Sequence, residues 1–115
     1  MSNSILNTIK QMLGVEEEQT DFDMDIIIHI NTALNILHQL GVGDEWIQID
    51  GPSTEWDEIT TDLHTVQMIK TWMYDKVKLM FDPPINSTLI SSMERQIAEL
   101  EWRIVDNHCD KEATK

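Results

Sequence analysis

Two consecutive prolines break the C-terminal half of this 115-residue chain, and this break constrains the fold more than any other feature. The Asp-Pro-Pro run at 82–84 ends a helix, because proline lacks an N–H group and disfavours the helical conformation of the residue before it. The Asn-Ser-Thr run at 86–88 then offers side-chain oxygens that can cap the N–H groups of a new helix. The sequence therefore predicts a helical hairpin with a proline corner.

Apolar residues on both sides of this corner follow the helical repeat. After the corner they recur at alternating three- and four-residue steps, which predicts one apolar stripe along a helix. Before the corner, a helix capped by Asp62 and ending near Phe81 is apolar on two sides, so we predict that it is the central helix. The stripe after the corner is Ile90, Met93, Ile97, Leu100 and Ile104. One apolar side of the helix before the corner is Val66, Ile69, Met73, Val77 and Met80; the other is Met68, Trp72 and Leu79.

Two further helices are predicted in the N-terminal half. The first runs from Ser4 to Leu13 and stops at Gly14. The second runs to about Leu40, and Thr20 with Asp23 three positions later has the pattern of a capping box at its start. The buried face of the first is predicted as Ile5, Ile9 and Met12; that of the second is predicted as Phe22, Ile26, Ile30, Ala33, Leu34, Leu37 and Leu40.

These elements predict an all-α fold, a small bundle of about four helices with an irregular loop between helices two and three. The loop spans residues 41–62 and contains glycine, proline, serine and several acids. A chain of this length fits one domain. We predict a single helical domain over residues 1–105 and a polar, frayed C-terminal tail over residues 106–115.

Acidic residues dominate the first part of the chain. The formal net charge is −13, and Lys10 is the only lysine or arginine before Lys70, whereas thirteen acids fall in the same segment. Such a surface repels phosphate groups, which argues against specific binding of DNA or RNA. Two interpretations stay open: the charge serves solubility alone, or it forms a surface that DNA passes without sticking.

Several apolar residues are left over once one core is filled, which favours contact with a partner. Ile28 and Ile36 lie off the stripe of the second helix, so either that helix is covered on more than one side or they meet another subunit. Trp102 lies nearly opposite Ile97 and Ile104 on the last helix. It is covered by the tail or the first helix, or it anchors a subunit contact.

A calcium loop is excluded by its own spacing. Asp21, Asp23 and Asp25 alternate as the first ligands of such a loop do, but Ile26 stands where glycine is required and Thr32 where the bidentate glutamate belongs.

The remaining chemistry-bearing residues form no recognisable site. The histidines (His29, His38, His64 and His108) lack the spacing of metal ligands, and Cys109 is the only cysteine. No glycine-framed serine and no phosphate-binding glycine pattern is present. We therefore predict no catalytic residue, no metal and no cofactor, and a protein that is not an enzyme. No apolar run approaches a membrane span, and the N-terminus lacks a signal pattern.

The order and spacing of these segments carry a family resemblance. The run KVKLMFDPP at 76–84, a serine/threonine turn and QIAELEWR at 96–103 resemble the C-terminal half of head-tail connector proteins of tailed bacteriophages, also called head-completion or DNA-packaging adaptor proteins. The short helix ending in Leu-Gly-Val at 13–15 and the helix opened by Thr-Asp-Phe-Asp at 20–23 are similar to the N-terminal half. The resemblance covers residues 4 to 105.

This resemblance implies a structural role in the virion. Identical copies would form a twelvefold ring at the neck, below the portal protein, after assembly in the host cytoplasm. The ring would extend the DNA channel, let DNA pass without specific binding, and dock a head-closure (stopper) or tail protein on its other side. No membrane contact is implied.

Three sets of surface residues follow from the resemblance and from the surplus apolar positions. The C-terminal end is expected at the portal, the acidic loop at the lumen or lower face, and the off-stripe apolar residues between subunits. The portal set is Glu101, Trp102, Val105, His108 and Lys111; the loop set is Asp44, Trp46, Asp50, Glu55, Trp56, Asp57 and Glu58; the subunit set is Ile28, Ile36, Met68, Trp72 and Leu79.

A second function class fits the same charge. A small acidic phage inhibitor, acting as a DNA mimic, would occupy the basic nucleic-acid site of a host protein. Such an inhibitor would be a monomer or dimer with strongly salt-dependent binding, whereas a connector would bind through apolar anchors and tolerate salt better.

Overall fold

The computed structural model describes residues 3–42 and 46–113, with side chains described up to residue 106. Within these ranges the chain forms four α-helices and no strand, which confirms the predicted all-α class. A short 3₁₀ turn, Trp56–Glu58, interrupts the loop between the second and third helices. The helices are α1 (Ile5–Leu13), α2 (Asp23–Gln39), α3 (Leu63–Phe81) and α4 (Ser87–Ala113).

Helix α1 begins and ends where its sequence predicts. The Ser4 hydroxyl accepts a hydrogen bond from the Asn7 backbone N–H, which caps the first turn. Gly14 ends the helix in the left-handed conformation, with φ of 81°, where a side chain would be strained. The predicted buried face needs one correction, because Met12 is 40% exposed. Leu6 is buried in its place.

Lys10 connects α1 to the start of α2. Its side chain is 1% exposed, and its Nζ lies 2.8 Å from the Asp23 carboxylate. The same ammonium donates to the backbone carbonyls of Glu17 (3.0 Å) and Gln19 (2.8 Å). The predicted capping box of Thr20 and Asp23 is therefore wrong: α2 begins at Asp23 without a side-chain cap, and this carboxylate pairs with Lys10.

We expect Lys10→Met to lower the free energy of unfolding by about 2–3 kcal/mol, because it keeps the apolar stem but removes an ion pair and two charge-assisted hydrogen bonds. Lys78→Met is the matched control. Lys78 also pairs with a carboxylate, Asp82, but that partner is largely exposed, so its loss should cost less than about 1 kcal/mol. Urea unfolding followed by circular dichroism measures both, and equal losses would contradict the role of Lys10.

The loop between α2 and α3 is held by specific hydrogen bonds. The Asn31 side chain exchanges two of them with the backbone of Ile49, at 2.7 and 3.0 Å. The Trp56 indole donates to the Thr8 hydroxyl at 3.0 Å, and Ile5 N–H donates to the Thr54 carbonyl. Residues 46–58 therefore lie against α1 and α2.

Helix α3 is the central helix, as predicted, since it contacts α1, α2 and α4. The Asp62 carboxylate caps its start by accepting from the Thr65 N–H. Its C-terminus lies at Phe81, directly before the proline corner, and Asn86 caps α4 by accepting from two backbone N–H groups. Both predicted sides of α3 enter the core, which includes Val66, Ile69, Trp72, Met73 and Val77. Met80, predicted on the first side, is instead 41% exposed at the end of the helix.

Helix α4 packs on α3 through the predicted stripe, of which Ile97 and Ile104 are buried. Glu99 and Arg103 form the expected ion pair on its flank at 3.0 Å. The helix is longer than predicted: it continues through Ala113, whereas a frayed tail was expected after Val105. The predicted division between domain and tail thus falls inside a continuous helix.

Candidate assembly surfaces

Glu101, the first residue of the portal set, lies on the side of α4 that packs on α3. The Glu101 carboxylate accepts a hydrogen bond from the Trp72 indole at 3.0 Å and lies 3.5 Å from the Lys76 ammonium. Val105 is half-buried. Glu101 therefore connects α3 to α4 within the protomer. The other two members, His108 and Lys111, lie outside the residues whose side chains are described.

Trp102 has the opposite environment. Its side chain is 65% exposed, and it lies about 150° around the helix from the buried Ile97 and Ile104 at 100° per residue. The sequence left two possibilities for Trp102, coverage by α1 or the tail and contact with another subunit, and no described side chain covers it. Trp102 is available as an anchor for a second molecule.

The loop set is divided between surface and core. Asp50, Glu55, Asp57 and Glu58 are exposed, although Glu55 and Glu58 also form a capping box at the start of the 3₁₀ turn. Trp56 is 1% exposed and belongs to the core. Its assignment to an outward loop surface is therefore wrong, because the indole is used to attach the loop to α1.

Trp46 is the exposed tryptophan of this loop. Its ring is 60% exposed and stacks against His38, with ring centroids 4.0 Å apart. Asp44, the remaining member of the loop set, lies outside the described residues. The loop thus presents one exposed aromatic ring beside α2.

The subunit set contains one strongly exposed residue. Ile28 is 55% exposed, and Ile36, Met68 and Leu79 are half-buried against the core. Trp72 is fully buried between α3 and α4, so its assignment to a subunit surface is wrong. The second apolar side of α3 is explained by α4 packing onto it rather than by another subunit.

Other exposed apolar side chains were missed by the sequence analysis. Met24 is 75% exposed, one turn before Ile28 on the same face of α2. Ile85 is fully exposed directly after the two prolines, where no helical periodicity exists to reveal it. The remaining strongly exposed ones are Leu63 at the start of α3 and Leu89 in the first turn of α4.

Asp75 is a buried carboxylic acid on α3 that no sequence pattern revealed. The residue is 3% exposed, and its Oδ2 has no hydrogen-bond partner among the described residues. Burial raises the pKa of Asp75 from 3.8 to about 6, because a low-dielectric surrounding disfavours the charged form.

This raised pKa predicts how stability depends on pH. The folded chain binds more protons than the unfolded chain between pH 3.8 and about 6, so Asp75 lowers the free energy of unfolding as pH rises through this window. Asp75→Asn should therefore be more stable than the parent by up to about 3 kcal/mol at pH 7.5 and should differ little at pH 4. Asp57→Asn, at an exposed site, is the control. A gain from Asp75→Asn that is equal at both pH values would contradict ionisation as its cause.

The described part of the chain has no metal-ligand cluster and no helix suited to crossing a membrane. No group of three or more histidine, cysteine, aspartate or glutamate side chains in the described ranges is placed to hold a metal ion. None of the described helices is both long and apolar enough to cross a membrane. The distinctive features of the surface are apolar side chains and negative charge, which define a helical protein suited to assembly.

Comparison with known proteins agrees with this assignment. The chain matches the family described as phage connector protein over residues 5–111, nearly its whole length. It therefore belongs to the phage connector protein family, which is structural rather than enzymatic. No curated protein and no solved structure matched the chain. Membership in this family makes the chain a component of a phage particle that contacts other phage structural proteins.

Proposed function

We propose that this protein is a head-tail adaptor that forms a ring of identical subunits below the portal, extends the DNA channel and provides the docking platform for a head-closure or tail protein. The family match over residues 5–111 carries the proposal. A ring of twelve copies is expected from the resemblance. Closed rings of one chain use heterologous contacts, in which each subunit presents two different surfaces.

Exposed apolar side chains support an assembling protein. Met24, Leu63, Ile85 and Trp102 are each at least 65% exposed. They lie on α2, α3, the corner and α4. Several separate apolar surfaces are what a subunit needs if it contacts two neighbours, a portal and a lower partner.

The distribution of charge supports an orientation for the subunit. Asp50, Glu55, Asp57 and Glu58 are exposed on the loop between α2 and α3, and we place them at the lumen or the lower face. Carboxylates there would repel the DNA backbone, so DNA would pass without being retained by the wall. The predicted twelvefold copy number would repeat this charge around the channel.

The C-terminal end of α4 is placed at the portal. The helix runs to Ala113, nine residues beyond Ile104, the last core residue among the described side chains. The resemblance implies that this end of the chain meets the portal. We expect Val105, His108 and Lys111 to contribute to that contact.

Portal binding at different salt concentrations tests this function. Purified chain is mixed with portal rings from the same genome and sedimented at low and high salt. Stoichiometric decoration of the portal that survives high salt supports the adaptor. Binding that fails at every salt concentration would overturn it. Salt-sensitive capture of a basic host protein, with no portal binding, would favour the acidic DNA-mimic inhibitor instead.

Charge reversal tests the loop assignment separately. Asp50→Lys with Asp57→Lys changes two exposed carboxylates of the loop without removing the Glu55 and Glu58 caps. Particles carrying this variant should bind portal normally but show changed DNA retention or tail joining, because lysines at the wall attract the DNA that the carboxylates repel. Glu94→Lys, at an exposed site on α4 away from the loop, is the control. Unchanged DNA retention and tail joining in the loop variant would remove the loop from the lumen and the lower face.

A further inference from the structure

We propose that neighbouring subunits contact each other through two specific helix faces: the outer face of α4 around Trp102 on one copy, and the outer face of α2 around Met24 and Ile28 on the next copy. This inference rests on the proposed ring and names the two surfaces that close it. It assigns Trp102 to the neighbouring subunit rather than to the portal.

The first surface is the outer face of α4. Trp102 lies two residues before the buried Ile104, and Arg95 lies two residues before the buried Ile97. Two residues turn the helix by about 200°, so both side chains lie about 160° away from the core side. They are seven residues apart, which is two turns and about 10 Å along one face. Tryptophan and arginine are both enriched at protein interfaces.

The second surface is the outer face of α2. Met24 is 75% exposed and Ile28 is 55% exposed, whereas Ile26, midway between them in sequence, is fully buried. Four residues separate the two exposed side chains, so they are adjacent on one face, about 6 Å apart along the axis. Together they offer an apolar surface on which an indole ring can pack.

The two surfaces lie on different sides of the protomer. In the described part of the chain, α2 packs mainly on α3 and α1, and α4 packs mainly on α3. Helix α3 therefore separates α2 from α4, and the outer face of each points away from it. Two different surfaces on different sides favour head-to-tail contact, which repeats around a ring, over a symmetric dimer.

Charge complementarity identifies the partner of the α4 face as a second copy of this chain. No carboxylate in the described ranges lies within ion-pair distance of Arg95, although Lys10, Lys76, Lys78 and Arg103 each have one. The α2 face carries the opposite charge, since Asp21 and Asp25 are exposed at its N-terminal end. Arg95 beside the aromatic face can thus meet a carboxylate beside the apolar face of the next copy.

The spacing also fixes the relative direction of the helices. Arg95 precedes Trp102 by seven residues, and Asp21 precedes Ile28 by seven residues. If α4 and the neighbour's α2 run parallel with Trp102 on Ile28, Arg95 lies toward the N-terminal end of α2, where Asp25 is exposed in the first turn and Asp21 in the turn before the helix. The antiparallel arrangement places Arg95 near the neutral Asn35 instead. Charge therefore selects the parallel arrangement.

Cross-linking of single-cysteine chains tests the contact. In a Cys109→Ser background, one chain carries Thr32→Cys and another carries Asp106→Cys. Each new thiol lies one turn beyond its anchor, Ile28 or Trp102, so both anchors stay intact. Assembled protein, alone or on portal rings, is treated with a short bismaleimide. Covalent dimers are expected in the mixture of the two chains and in neither chain alone, and one chain carrying both cysteines should give a ladder of covalent oligomers.

Three other results would overturn the inference. Dimers formed by either single-cysteine chain alone would show a symmetric contact. Native-size rings that give no cross-link would show that other surfaces close the ring, while the adaptor function stands. Portal decoration blocked by a reagent coupled at Asp106→Cys, with subunit contacts intact, would return this face to the portal. Absence of both rings and portal binding would be a failure of the proposed function itself.

Charge reversal and its compensation test the ionic part. Arg95→Glu should raise the protein concentration needed for half-maximal assembly about tenfold, because it places two carboxylates together. Asp21→Arg on the same chain as Arg95→Glu should restore assembly to near the parent value. Failure of this pair to restore assembly, with both variants folded by circular dichroism, would contradict the Arg95–Asp21 pairing.

Discussion

The Trp72→Ala substitution is expected to lower the free energy of unfolding by about 3–5 kcal/mol, the range for removing a large aromatic side chain from a core. Trp72 is fully buried, and its indole N–H donates to Glu101 on α4. The substitution leaves a cavity between α3 and α4 and removes one partner of Glu101. Because small domains are stable by only about 5–15 kcal/mol, a large share of the total would be lost.

Trp72→Phe separates the two contributions. Phenylalanine keeps most of the buried ring but removes the N–H donor, so the loss should be smaller than for alanine and should include about 1 kcal/mol for the hydrogen bond to Glu101. Glu101 keeps Lys76 as a second partner. Urea unfolding at pH 7 measures all three proteins. A loss below about 1 kcal/mol for Trp72→Ala would contradict the packing of α4 on α3.

Trp102→Ala is expected to have the reverse profile. Its side chain is 65% exposed, so the free energy of unfolding of the protomer should change by less than about 0.5 kcal/mol. Assembly should weaken strongly, because central tryptophans of interfaces contribute about 2 kcal/mol or more, which is about 30-fold in affinity per contact. Native mass spectrometry over a dilution series measures the change.

Leu89→Ala is the matched control for Trp102. Leu89 is another exposed apolar residue of α4, 50% exposed, but it lies outside the face that carries Trp102 and Arg95. Its removal should leave assembly within about threefold of the parent, a change of less than 1 kcal/mol. Equal weakening by both substitutions would indicate a general loss of apolar surface, and unchanged assembly of Trp102→Ala would contradict the subunit contact.

The elements of this fold follow from local chemistry that a sequence displays. The two prolines and the caps at Asp62 and Asn86 bracket α3 and α4, and Gly14 ends α1 in the conformation that glycine alone adopts easily. The two apolar sides of α3 predicted its central place. These features depend on residues close in sequence, which is why they were readable.

Errors arose where one pattern allowed two environments. The sequence alone does not show whether Trp56 and Trp72 lie on a surface or in the core. Only the fold shows that Thr8 and Glu101, distant in sequence, accept hydrogen bonds from their indole N–H groups. Thr20 and Asp23 have the spacing of a capping box, but Lys10 competes for the Asp23 carboxylate. Long-range partners of this kind leave no periodic signal.

The candidate surfaces were only partly predictable for the same reason. Ile28 and Trp102 were identified because each departs from a helical stripe. Met24 was missed although it shares the face of Ile28, and Ile85 was missed because the corner has no periodicity. Arg95 could not be singled out from the sequence, because only the fold shows that the other described lysines and arginines have carboxylate partners or, for Lys70, lie over the Trp56 ring.

Native mass spectrometry of the purified chain, alone and then mixed with portal rings from the same genome, tests the central claim most directly. The adaptor function predicts a closed ring of identical copies, whose mass is a whole multiple of the 13.4 kDa chain, or stoichiometric decoration that adds such a multiple to the mass of the portal. A chain that stays monomeric at every concentration and leaves the portal mass unchanged would contradict it.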